Sequence, residues 1–234
     1  MNNKKRIFII ISIVVFLLDL VFVAINYYSS KQALYTSLYE NALEKQSDFK
    51  LTLSMVFRNM LQISQNYSQR NDLNQLFLVG KKAVEAEGGG TGGDKADIAR
   101  KMLLSKVKPG WDDMTQHFRV RQLHYHLGPG SVSYLRVHKP SKYGDRMDNV
   151  RYTIVDTNAE KKSRTGFETG RVYSGLRGVS PVWTVDPETN QKVYVGALEV
   201  GASFEQILPL ISNNYQTNLA VLLTSVRPRN HFLK

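Results

Sequence analysis

Nineteen consecutive residues, Ile7 to Ile25, carry a single charge, Asp19, and no other stretch constrains the fold as tightly. As a helix the run spans about 28 Å, close to the hydrocarbon thickness of a bilayer. Lys4, Lys5 and Arg6 precede it, which places the N-terminus in the cytoplasm and everything after Asn26 outside. A cleaved secretory signal would have a shorter apolar core and end at a small-x-small site. Ala24 follows Phe22-Val23 and Ala33 follows Lys31-Gln32, so an uncleaved anchor is expected. Asp19 sits in the outer half, where tilt and interfacial water lower its cost. Tyr27 and Tyr28 mark the outer boundary as interfacial aromatics.

With the anchor set aside, roughly 200 residues remain, enough for one full domain and the start of a second. The chain has no cysteine, which excludes disulfides, thiolate metal sites, a cysteine nucleophile and thioether-attached haem. The formal charge is +11. Its lysines and arginines are dispersed, and no recognition helix, RNA-binding sheet motif or long basic arm is present, so a solvated surface is expected and no nucleic-acid partner.

From Ser30 to Tyr67 there is no proline or glycine, and apolar residues recur at Leu34, Leu38, Phe49, Leu53, Val56, Met60, Ile63 and Tyr67. The heptad-like spacing of the later ones predicts one long outer helix with an apolar stripe. Two readings of the stripe stand side by side: packing on the chain's own sheet, or a parallel homodimer seam. A second helix is expected over Asn71–Glu87. The following GGGTGGD at 88–94 lacks the Gly-Lys-Ser/Thr ending of a phosphate-cradling loop and is not the Gly-Gly-Asp-Glu-Phe of a cyclic-dinucleotide synthase; it is read as a flexible connection. A third helix is expected from Lys95 to Val107, ended by Pro109-Gly110, with another beginning over Trp111–His117.

After Arg119 the hydrophobic period changes from 3.6 to 2. Strands are expected over Val120–Leu127, Ser133–His138, Arg151–Asp156, Val179–Val185 and Lys192–Val200, separated by glycine, proline and asparagine turn signals. Strands after long helices imply an α+β fold with an antiparallel sheet, one face on the helix and the other free to hold a ligand.

Parity places His124 and His126 on one face of the first strand. On the second it groups Tyr134, Arg136 and His138, with Leu135 and Val137 opposite. A face carrying Tyr, Arg and His is either solvent-exposed or lines a polar cavity. In a cavity Arg136 would grip a carboxylate in a two-bond fork. His126 is placed on the neighbouring strand, and Arg177 and Asp145 complete the candidate ligand-binding set; Asp145 has the alternative of stabilising the Tyr143-Gly144 turn. His124 and His126, with His138 adjacent, would also suit zinc or haem. No acidic ligand stands at helical spacing and there is no His-Glu-x-x-His, so no metal or other cofactor is expected. The absence of a Gly-x-Ser-x-Gly elbow and of a pointer to paired carboxylates argues against an enzyme.

The run Val120-Arg121-Gln122-Leu123-His124-Tyr125-His126-Leu127-Gly128-Pro129-Gly130, then Tyr134-Leu135-Arg136-Val137-His138-Lys139-Pro140 and Tyr143-Gly144-Asp145, resembles the double Cache sensor domains of chemoreceptors and related sensors. Gly166, Glu168, Gly170, Arg171, Gly175, Arg177-Gly178-Val179 and Pro181 look like the continuation, and Gly196, Glu199, Gly201 and Phe204 like the closing strand and helix. The resemblance implies a PAS-like pocket outside the membrane and an output module inside it.

The expected organisation is a cytoplasmic tip and anchor over 1–29, a Cache-like module over 30–210 (helical 30–118, sheet 119–210), and the start of a truncated membrane-proximal module over 211–234, with Asn218–Thr224 as its opening strand. The expected role is ligand sensing for a bacterial receptor of the inner membrane, with a small polar molecule as ligand. The alternative is a membrane-tethered periplasmic binding protein without signalling output. A chain ending at Lys234 is read as a fragment, a truncated frame or a receptor lacking its output.

Overall fold

A computed structural model of the chain describes residues 2–169, 174–215 and 218–222. It falls into two compact units, Met1–Thr52 and Leu53–Lys234. The first consists of the leading part of helix α1, which runs Asn3–Ser68. The apolar side chains from Ile7 to Ile25 are exposed on it, and it is the one described helix long and apolar enough to cross a membrane.

The second unit begins with the last turns of α1, followed by α2 (Asn71–Ala86), α3 (Asp94–Phe118), β1 (Gln122–Leu127), β2 (Val132–Arg136), α4 (Tyr152–Glu160), β3 (Arg164–Thr169), β4 (Ser174–Val185), β5 (Lys192–Ala202) and α5 (Phe204–Tyr215). The strands form one antiparallel sheet in the order β2-β1-β5-β4-β3, confirming the expected α+β class. One sheet face packs on α1, α2 and α3. Met60 of the apolar stripe and Ser64, next to Ile63, are buried there, and Ser64 Oγ meets Ser180 Oγ at 2.7 Å. Gly178 makes this approach possible, because a Cβ at that position would collide with the backbone of Met60 and Leu61. Phe77 of α2 stacks edge-on against Tyr125. The opposite sheet face carries α4, whose Ile154 packs with Val179 and Ala197.

Five expectations are corrected. The segment Arg151–Asp156 is not a strand; Tyr152 to Glu160 is helical. Its β-branched run looks strand-like, but Ile154, Thr157 and Asn158 are buried at helical spacing, and the Glu168 carboxylate accepts from Thr153 N and Oγ1 at 2.7 and 2.9 Å, fixing the first turn. Pro109 does not end α3, which continues to Phe118. A proline inside a helix costs about 3 kcal/mol, offset here by burial of Val107 and Trp111 on either side of it. The strand β3 was not expected, since Arg164-Thr-Gly-Phe-Glu-Thr shows little apolar alternation. The glycine-rich loop is tied down on both sides. Glu87 accepts from the backbone N–H groups of Gly93, Lys95 and Ala96 at 2.7–3.0 Å, capping α3, and the buried Arg100 donates to Thr91 O at 2.8 Å. Asn218–Leu222 forms no strand; Leu223 and Thr224, like Gly170 and Arg171, lie outside the described residues.

Candidate functional site

The register puts a set of polar side chains in line across the sheet. Gln122, Gly201 and Arg177 are neighbours across β1, β5 and β4; so are His124, Glu199 and Val179, and then His126, Ala197 and Pro181. All of these side chains share the face covered by α4, because alternate residues of a strand point the same way. β3 adds Glu168 and the N-terminus of α4 adds Arg151. Two arginines, two glutamates and two histidines are thereby buried in one place.

Glu199 is the hub. Its Oε1 faces Arg177 at 3.2 Å and Arg151 at 3.5 Å, and its Oε2 faces His126 Nε2 at 3.3 Å and His124 Nδ1 at 3.5 Å. Arg151 also reaches Glu168 at 3.6 Å. Good charge-assisted hydrogen bonds are shorter, about 2.7–2.9 Å. The charges compensate one another without closing on one another. Among the described residues, buried atoms including Glu199 Oε1, Glu168 Oε2, Arg177 Nε, Arg151 Nε and His126 Nδ1 have no hydrogen-bond partner. Room for the Arg177 guanidinium comes from Gly201, where a Cβ would stand 2.7 Å from its NH1.

The electrostatics follow from burial and neighbours. Burial alone would raise the Glu199 carboxyl, but Arg151, Arg177 and the two histidines outweigh it and hold its pKa well below the ordinary value. Glu168 moves the other way: burial and the nearby Glu199 raise it against the Thr153 hydrogen bonds. Burial holds His124 well below its usual pKa, helped by His126, and burial lowers His126 as well. Both shifts favour the neutral imidazole. His124 Nε2 meets Ser133 Oγ at 2.8 Å.

Of the residues singled out in the sequence, His126 and Arg177 meet at this hub. Arg136 lies on the same face but its fork closes on Asp145 at 2.7 and 2.9 Å, with a further bond to Lys142 O. His138 stands beside His124, ring centroids 6.2 Å apart, its Nδ1 within 3.3 Å of Leu123 O. Tyr134 does not share the face of Arg136. The ladder shifts register opposite Tyr125 and His126, and a bulge of this kind turns one side chain over. The Tyr134 ring lies against Phe77 and Arg100, among the helices. Glu199, Glu168, Arg151 and His124 were not in the candidate set. The i, i+2 histidines were visible, but their acidic partner is 73 residues away.

Residues 95–231, more than half of the chain, match the family described as the double sensory domain of two-component sensor kinases. The chain belongs to this family. Solved structures similar to this sensory domain include an extracellular ligand binding receptor from Desulfohalobium retbaense, at 14% identity and TM-score 0.37 over 70% of this chain and 27% of that one. The E. coli DcuS sensor domain aligns at 10% identity and TM-score 0.39, over 71% and 99%. The ligand-binding domain of the Campylobacter jejuni chemoreceptor Tlp3, in complex with L-valine, aligns at 14% and 0.34, over 72% and 66%. The sensory domain thus spans about a quarter of the first of these and almost all of the second. No curated protein sequence matches the chain.

Proposed function

We propose that this chain is the extracytoplasmic ligand-sensing region of a bacterial transmembrane signalling receptor, and that it takes a small polar molecule into the cluster under α4. The observation that carries the reading is the set of buried guanidinium, carboxylate and imidazole atoms around Glu199 that lack hydrogen-bond partners among the described residues. Leaving such groups unmet costs about 1–3 kcal/mol each, more when charged, so a ligand that meets several of them gains both affinity and selectivity. Arg177 and Arg151 supply cationic donors for a carboxylate, and Glu199 and Glu168 supply acceptors for an amine. Arg136 and His138 lie toward the β2 edge, with Asp145 orienting the Arg136 fork. Tyr134 has no part in this site. The Ile7–Ile25 segment anchors the chain in the cytoplasmic membrane, the cations at Lys4–Arg6 keep its tip inside, and α1 pairs with a second copy.

The test is a thermal-shift screen of amino acids, organic acids and amines on the full chain in detergent micelles. A ligand at a hundredfold excess over its dissociation constant adds about 2.7 kcal/mol of stability by mass action. A hit should be lost in Arg177→Lys, which keeps the charge but not the fork. Hits that persist unchanged in both Arg177→Lys and Arg151→Lys would place the site elsewhere.

A further inference from the structure

We infer that His124, His126 and Glu199 form a binding site for a divalent transition-metal ion of the zinc type. The inference goes beyond the proposal of an organic ligand and rests on three ligand atoms alone. These atoms all lie within 4.8 Å of one another, and all three residues are buried. Glu199 Oε2 stands 3.3 Å from His126 Nε2 and 3.5 Å from His124 Nδ1. Ligands about 2.0–2.1 Å from a tetrahedral zinc are separated by about 3.3 Å, so the two spacings to the carboxylate already suit a shared ion. The third spacing, between the two ring nitrogens, is within 4.8 Å, and the ring centroids are 3.7 Å apart.

The surroundings favour the same use. Metal binding needs imidazole lone pairs that are available, and each ring turns one nitrogen toward Glu199 Oε2. With the ion on His124 Nδ1, the opposite ring nitrogen, Nε2, carries the proton and donates to Ser133 Oγ, 2.8 Å away. Such an outer hydrogen bond fixes a ligand's tautomer and orientation. The arginines do not compete for the same atom. Arg177 and Arg151 approach Oε1 of Glu199, leaving Oε2 turned to the histidines. In the cluster the two arginines offset the two glutamates, so a dication brings uncompensated positive charge. Three protein ligands leave a fourth position open, and charge balance fills it with an anion, either hydroxide or a carboxylate.

The experiment titrates the full chain, in detergent and stripped with EDTA, with zinc chloride in competition with a chromophoric chelator. One zinc per chain is expected. His124→Gln and His126→Gln should each weaken binding at least tenfold, while His117→Gln, on an exposed helical position, should leave it unchanged. Zinc bound equally well by both ligand variants, or lost in His117→Gln, overturns the site. Should a variant fail to fold by circular dichroism, the zinc K-edge spectrum of the unaltered chain decides: two imidazoles in the shell support the site, and an oxygen-only shell refutes it. The thermal-shift screen on metal-free protein keeps the two ideas apart, since an organic ligand that binds there upholds sensing whatever zinc does.

Discussion

Glu199 is fully buried with two guanidinium groups beside it, which makes it the residue whose loss the fold should feel most. Removing one partner of a buried ionic cluster strands the others, a cost of about 3–5 kcal/mol. Glu199→Ala should lower the unfolding free energy by that order, and Glu199→Gln, which keeps the shape and some hydrogen bonding, by less. Chemical denaturation of the two variants measures the difference; equal losses would mean that charge alone carries the effect and side-chain volume adds nothing. At this scale the sequence was partly legible. The i, i+2 pair His124 and His126 does share a face, and Arg177 does join it. Period-two reasoning went astray at Tyr134 because an added residue in a strand reverses parity beyond it, and nothing in Ser133-Tyr134-Leu135 announces the bulge. Glu199 was hidden for a different reason: its partners come from strand pairing, which local sequence does not encode.

Among the elements, helices were read better than strands where their ends carried chemistry. The break after α2 was visible in its glycines, but its anchoring was not, because Glu87 looks like any surface acid. Its carboxylate accepts three backbone N–H groups at the start of α3, and these bonds depress its pKa. A depressed carboxylate contributes stability that is present above its unfolded pKa and is lost as pH falls through the folded value. Glu87→Gln should therefore melt below the wild type at pH 7, and the two melting curves should converge on acidification below the ordinary glutamate range. A gap that stays constant with pH would show that the cap does not depend on charge. The α4 segment was misread because Thr153, Ile154 and Val155 favour strands intrinsically, while the contacts that make it helical, Glu168 on β3 and the Val179–Ala197 patch, lie elsewhere in the chain. Packing of α1 on β4 turns on Gly178. Gly178→Ala inserts a methyl against the α1 backbone, and overpacking of this kind costs about 1–3 kcal/mol. Denaturant midpoints should shift accordingly, with an unchanged value showing that α1 gives way without penalty.

At the scale of the whole molecule, the apolar stripe on α1 serves its own domain in one part and is open in another. Met60 and Ser64 are buried against the sheet, whereas Leu34 and Leu38 are more than half exposed. Exposed apolar residues at helical spacing are what a parallel two-stranded coil presents to its partner. Packing on the chain's own sheet thus holds for the last turns of α1, and the proposed dimer seam concerns the exposed stretch. The sequence supplies a clean background for testing this, since the chain has no cysteine. Single cysteines at positions 30 to 48, introduced one at a time into the membrane-embedded chain, should cross-link to their own copies with a helical period, peaking at Leu34 and Leu38. Cysteines at Met60 and Ser64 should stay monomeric, because those positions already face the sheet. A uniform failure between 30 and 48 in folded protein would remove the dimer. Strong cross-linking at Ser64 would mean that the last turns of α1 leave their sheet when two copies meet.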